Sequence, residues 1–197
     1  MEKVKQAHYF PNNYYIVEGF DMVGKTRFLA ENLSDYKVYY CNHGLSDETV
    51  GRHNSWVIGY GVLDFLSQIC PEDRIVINRG VASSYVYKRL YDGHYLDQRI
   101  LDYYKNNEFF CRKVGHLWIR HHSADTAEQI YGFSQSREKN PNELSAQFDR
   151  FNSFSDYWVY YKRAEALFLE VYDKLGIKPR VFETYPDLTW EEVGLLK

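Results

Sequence analysis

Tyr14-Tyr15-Ile16-Val17-Glu18-Gly19-Phe20-Asp21-Met22-Val23-Gly24-Lys25-Thr26 is the stretch on which the architecture of this 197-residue chain turns. Tyr14 to Val17 is a short apolar run that meets a glycine at once, as a strand ending in a tight turn does. Lys25 to Leu33 then reads as a helix. Gly19 to Thr26 satisfies GxxxxGK[ST], a pattern that carries weight only between a strand and a helix, which is where it stands here. The physics is direct. Glycines let the backbone turn sharply enough for several N–H groups to share one concavity, which suits anionic phosphate. The helix that opens near Lys25 adds its positive end. Lys25 supplies a cation for β- and γ-phosphates, and the Thr26 hydroxyl can ligate Mg²⁺. Asp21, inside the loop, is unfavourable beside phosphate unless it meets a metal-bound water or a substrate hydroxyl; capping the following turn is the other use open to it.

Working outward, the pattern alternates. Lys37 to Tyr40 is a second strand and Ser55 to Ile69 a helix stopped by Pro71. Arg74 to Asn78 is a third strand, followed by helices at Ser84–Tyr91 and Leu96–Tyr104. His116 to Arg120 is a fourth strand with Ala124 to Tyr131 helical behind it. Residues 132–142 are polar, carry Gly, Pro and Ser, and break the pattern. A long helix from Glu143 to Leu175 follows, ended by Gly176. Arg180 to Glu183 is a fifth strand, and Thr189 with Glu192 forms a capping-box pair for a last short helix. Strands alternating with helices predict an α/β fold, a five-stranded parallel sheet with helices on both faces.

Composition narrows the class. Net charge is −3, with 45% hydrophobic and 26% charged residues. A protein devoted to coating nucleic acid is usually basic overall. The aromatic share of 18% comes largely from 19 Tyr, which suit half-buried surfaces or a base-stacking pocket as well as a core. Cys41, Cys70 and Cys111 are odd in number and form no CxxC pair, so they read as reduced thiols. No apolar leader or run of 18 apolar residues is present, so the expectation is a cytoplasmic protein with no membrane partner. His121-His122, with Asp125 nearby, invites a metal reading, but adjacent strand residues face opposite ways. Glu183 reads as a partner for a local cation.

Glu18 to Thr26 resembles the EGxDGxGK[ST] loop of thymidylate kinases. Ile77-Asn78-Arg79-Gly80-Val81-Ala82-Ser83-Ser84-Tyr85-Val86-Tyr87-Lys88 is similar to that group's DRYxxSSxAYQ segment. The resemblance implies a three-layer P-loop NTPase fold, a single P-loop kinase domain over residues 1–197, and a lid at 132–142. It implies ATP and Mg²⁺ held by Gly19, Phe20, Met22, Val23, Gly24, Lys25 and Thr26, with Thr26 on the metal. Asp21 would face the acceptor sugar or its solvent. Arg79, and Arg52 from the Thr49–Arg52 segment, would hold the acceptor phosphate. Ser83 and Tyr87 would line the acceptor pocket, and Arg137 and Lys139 in the lid would neutralise the transferred group. Group members often pair through helices, which implies a homodimer.

The departures fall on the acceptor side. Asn78 stands for the group's Asp, Gly80 for an aromatic residue, Lys88 for the base-reading Gln, and Met22 for the loop's inner glycine. The reading is an ATP-dependent phosphotransferase acting on a deoxynucleoside monophosphate, a small-molecule substrate. Two alternatives stand beside it: a kinase for a hydroxyl of a deoxynucleoside or of a modified base in DNA, and a nucleotide-binding regulator without catalysis.

Overall fold

The computed structural model describes residues 8–40, 68, 70–93, 96, 98–136, 151–187 and 189–196. Six strands, β1 (Tyr14–Glu18), β2 (Lys37–Tyr40), β3 (Ile75–Asn78), β4 (Val114–His121), β5 (Arg180–Thr184) and β6 (Trp190–Leu195), form one sheet in the order β2-β3-β1-β4-β5-β6. The first five are parallel; β6 runs antiparallel to β5. All of β1 and β3 is buried, which is why their sequences are apolar or aromatic without alternation up to the polar residues that end them, Glu18 and Asn78.

The helices are α1 (Lys25–Asn32), α2 (Val81–Tyr87), α3 (Gln98–Asn106), α4 (Glu108–Arg112), α5 (Ala124–Ser136) and α6 (Phe154–Leu175). Phe28 of α1 meets Phe182 of β5 edge-on, ring centroids 4.9 Å apart. Trp118 of β4 packs on Phe168 and Tyr172 of α6, both at 5.9 Å. Phe182 is in register with Ile119, the neighbour of Trp118, so the two contacts lie on opposite faces of the sheet. Helices therefore cover both sides. Burying each of these rings contributes about 1.5–3 kcal/mol relative to exposure.

Several expectations need correction. Among the described residues the sheet has six strands, not five, and the residues assigned to a final helix form β6. Glu192 is drawn into a cross-strand pair, accepting from Arg180 Nε and Nη2 at 2.7 Å each. Thr189 does not cap a helix; its hydroxyl donates to Asp187 Oδ1 at 2.6 Å, and its carbonyl accepts from Tyr185 N to close the hairpin. The long helix starts later than Glu143: Ser153 is its N-cap, accepting from Asp156 N, and 151–153 are not helical. It ends at Gly176 as expected. The helix expected to stop at Tyr131 runs on to Ser136, so the first part of the expected lid is helical; 137–142, with Arg137 and Lys139, lies outside the described residues. The segment 49–52, with Arg52, and almost all of the Ser55–Ile69 helix lie outside them too. The helix expected at Ser84–Tyr91 begins at Val81 and passes into a π-helical turn, Lys88–Asp92. The short α4 has no counterpart in the sequence reading.

Candidate functional site

The loop between β1 and α1 is shaped by its glycines. Gly19 has φ 150°, and a Cβ there would lie 2.4 Å from the carbonyl oxygen of Ile119. Gly24 has φ 84° and sits at the N-cap of α1. Between them Met22 takes φ 64°, a left-handed conformation that costs a non-glycine residue about 1–2 kcal/mol. That is the position where the resembled loop carries glycine.

Four loop carbonyls are held by side chains. Lys25 Nζ donates to Gly19 O at 2.9 Å and to Phe20 O at 2.6 Å. The Tyr157 hydroxyl, from α6, donates to Asp21 O at 2.9 Å. The Thr184 hydroxyl, at the end of β5, donates to Val23 O at 2.8 Å. Burial first, and then Arg79, push the Lys25 ammonium down to about 7, although Asp21 and Glu18 act the other way. Thr26 is exposed on the first turn of α1.

The end of β3 meets this loop. Arg79 adopts φ 72°, its N–H donates to Val17 O at 2.9 Å, and its guanidinium pairs with the Asp21 carboxylate. The guanidinium also lies 4.9 Å from the ring centroid of Tyr87, which stacks on Phe20. Burial alone would raise the Asp21 carboxyl, but Arg79 and Lys25 outweigh it and hold the group below its usual value. Ser83 does not stand free to line a pocket: it is fully buried, and its N–H and hydroxyl both donate to Glu18. Glu18 also accepts from Gly80 N at 2.9 Å and Ala82 N at 3.1 Å, anchoring the start of α2; burial raises its carboxyl in spite of these bonds. Asn78 Oδ1 is buried with no hydrogen-bond partner among the described residues.

Behind the loop stands His121, at the end of β4. Its Nε2 is 2.8 Å from the Tyr157 hydroxyl, whose single proton goes to Asp21 O. The imidazole must therefore donate from Nε2, which leaves Nδ1 as a bare acceptor; that atom is buried without a partner among the described residues. Burial, reinforced by Lys25, pushes His121 down to about 3. His122 points elsewhere, bonded to Glu183 Oε2 at 2.8 Å and stacked on Tyr185. Glu183 also pairs with Arg120, as a partner for local cations. Among the described residues no group of three His, Cys, Asp or Glu could hold a metal, and no helix is long and apolar enough to cross a membrane.

The structure thus brings Gly19, Phe20, Asp21, Met22, Val23, Gly24, Lys25, Arg79 and Tyr87 together, and separates off Ser83. Sequence reasoning missed Tyr157, Thr184 and His121 as parts of the site. Thr184 and His121 end parallel strands, the edge at which α/β sheets bind ligands; Tyr157 carries no comparable signal.

No family model matches the chain. No curated protein matches it either. Among solved structures, the YorR protein from Bacillus subtilis, crystallised in complex with phosphorylated GDP, is similar over 89% of this chain and 90% of that one, with 17% identity and a TM-score of 0.50. At that identity the likeness concerns the fold: a mixed α/β, P-loop-like arrangement with a largely parallel sheet.

Proposed function

We infer that this protein is an ATP-dependent phosphotransferase whose acceptor is a deoxynucleoside monophosphate. The observation that carries the reading is the loop itself: carbonyls of Gly19, Phe20, Asp21 and Val23 are all taken up by protein donors, at the head of a helix in a parallel α/β sheet. Since a trans peptide points its N–H opposite to its C=O, a loop whose carbonyls are so engaged offers amides to an anion. Support also comes from a protein of similar fold that holds phosphorylated GDP.

In this reading the loop amides bind the donor polyphosphate and Lys25 leaves the Gly19 and Phe20 carbonyls to reach it. Mg²⁺ suits the oxygen donors present: the exposed hydroxyl of Thr26, and Asn78 Oδ1, a buried oxygen with no partner among the described residues. When bound it would neutralise charge on the phosphates. Arg79 turns toward the acceptor phosphate, where its planar fork can hold two oxygens. Asp21, released from Arg79, accepts from an acceptor hydroxyl or its solvent. Transfer then needs placement and charge compensation more than covalent help. Arg52 and Arg137 are further phosphate partners under the same proposal.

One observation favours the second reading, a kinase for a hydroxyl. Arg79, the cation expected to hold an acceptor phosphate, is already paired with the Asp21 carboxylate. The experiment that decides is a panel of deoxynucleoside monophosphates, deoxynucleosides and DNA incubated with γ-labelled ATP. Label on a monophosphate supports the first reading and label on a nucleoside or DNA the second. ATP binding with no transfer to any of them would leave only the non-catalytic regulator. Lys25→Ala should abolish transfer; undiminished turnover would sink both kinase readings.

A further inference from the structure

We propose that Tyr157 and Thr184 are positioning residues that preset the phosphate-binding amides by gripping the loop carbonyls from behind, an inference that rests on the phosphotransferase reading. The peptide unit is planar and trans, so fixing a carbonyl fixes the next N–H in the opposite direction. Tyr157 holds Asp21 O and thereby aims the amide of Met22; Thr184 holds Val23 O and aims the amide of Gly24. Lys25 does the same for Phe20 and Asp21 through the Gly19 and Phe20 carbonyls.

Lys25 cannot keep that task once a polyphosphate draws its ammonium outward. Tyr157 and Thr184 can, because neither has another ligand to serve. Both are fully buried, and both come from elements remote in the chain, 136 and 161 residues from the carbonyls they hold. Met22 needs the help most, since its left-handed backbone is unfavourable without outside support. His121 completes the device. By donating from Nε2 to the Tyr157 oxygen it leaves that hydroxyl one direction in which to donate, toward Asp21 O. The backbone N–H of His121 is itself pinned to the Tyr161 hydroxyl at 2.9 Å, so the imidazole is carried on a strand end tied to α6. The loop's shape is therefore imposed by β4, β5 and α6 together.

Tyr157→Phe and Thr184→Val each remove one hydroxyl and little else. The measurement is the affinity of the folded protein for inorganic tripolyphosphate and for ATP, both with Mg²⁺, alongside the urea midpoint. Each variant should bind both ligands roughly three- to tenfold more weakly, and Thr184→Ser, which keeps the hydroxyl, should restore binding. A lower urea midpoint with unchanged affinities would make the two residues structural supports only and overturn the proposal. So would a Thr184→Ser variant as weak as Thr184→Val. If the wild-type protein binds neither ligand, the phosphotransferase reading falls first; if it binds both and the variants match it, this inference alone fails.

Discussion

The guanidinium of Arg79 lies against the carboxylate of Asp21 in a pair almost closed to water, with side-chain exposures of 13% and 5%. The two residues are 58 apart in sequence, one after β3 and the other within the loop after β1. In this state the cation expected to hold an acceptor phosphate and the carboxylate expected to face the acceptor sugar neutralise one another. Removing one partner of such a pair strands the other in a poorly solvated site, which is far costlier than losing a surface ion pair. Asp21→Asn should therefore destabilise the fold by about 3–5 kcal/mol. Arg79→Met combined with Asp21→Asn should cost clearly less than the sum of the single changes. Urea denaturation of the four proteins measures this; additive costs, each under about 1 kcal/mol, would mean that the pair behaves like an exposed one.

Lys25 gives a second prediction, with a definite sign. Its ammonium is pushed down to about 7 by burial and Arg79, so at pH 8 most of the folded, unliganded protein carries it neutral. A bound polyphosphate favours the charged form and returns the group toward its usual range. ATP binding at pH 8 should take up close to one proton (~0.9 from that pKa), falling to ~0.1 at pH 6. Calorimetry in buffers of different ionisation enthalpy reads the number directly. Lys25→Met should lose the uptake, and a wild-type heat at pH 8 that is the same in every buffer would refute the argument.

The segment from Tyr14 to Asn32 was readable because every signal in it is local: an apolar run, two glycines, a lysine and a helical start. The 189–195 segment is not readable for a complementary reason. Thr189 and Glu192 have capping-box spacing, but a nonlocal partner, Arg180, claims Glu192 and turns the segment into β6. The Asp21–Arg79 pair is not readable either; the resemblance implies Asp21 facing the acceptor sugar or its solvent and Arg79 on the acceptor phosphate, and only the folded chain shows them engaged with each other. Tyr157 was hidden most completely. On a helix with many aromatic residues it reads as core, and it is core, yet its one polar atom reaches a loop carbonyl 136 residues away. Periodicity reports which face of a helix is buried, not what a hydroxyl on that face will find.

Two imidazoles, the buried His121 and the half-buried His116, predict the acid limb of stability. His116 is pushed down to about 4, mainly by burial, and His121 to about 3, by burial and Lys25. Both are bases with lowered folded values, so the unfolded chain binds more protons than the folded one below the ordinary value of 6.5. Their contribution is complete above that pH and is lost as pH falls toward the folded values. Between pH 7 and pH 5 each should remove ~2 kcal/mol. Glu18, a carboxyl raised by burial, acts in the opposite sense, because the folded state keeps a proton that the unfolded chain has shed. His116→Gln preserves a donor for Phe110 O, the present partner of His116 at 3.3 Å. Whatever its effect on absolute stability, that variant should lose at least half of the pH slope in urea midpoints, since Glu18 offsets part of the two histidines' sum; an unchanged slope would show that His116 does not titrate in this way.

Trp190 offers a spectroscopic handle on the loop. Its indole meets the Phe28 ring edge-on at 5.5 Å, Arg27 lies 5.8 Å from its centroid, and a Cβ built on Gly24 would be 3.6 Å from its six-membered ring. The indole Nε1 is buried without a partner among the described residues, so its surroundings include no compensating acceptor there. An anion drawn to the head of α1 changes the field at this indole, because Gly24 is both the N-cap of α1 and the neighbour of Trp190. Trp118, by contrast, is buried against α6 and should not respond. Titration with ATP and Mg²⁺ should change the tryptophan emission of the wild-type protein, and Trp190→Phe should lose most of that change while retaining ATP affinity. The same loss in Trp158→Phe, with Trp190→Phe unaffected, would place the responding ring on α6 instead of β6 and detach the hairpin from the loop.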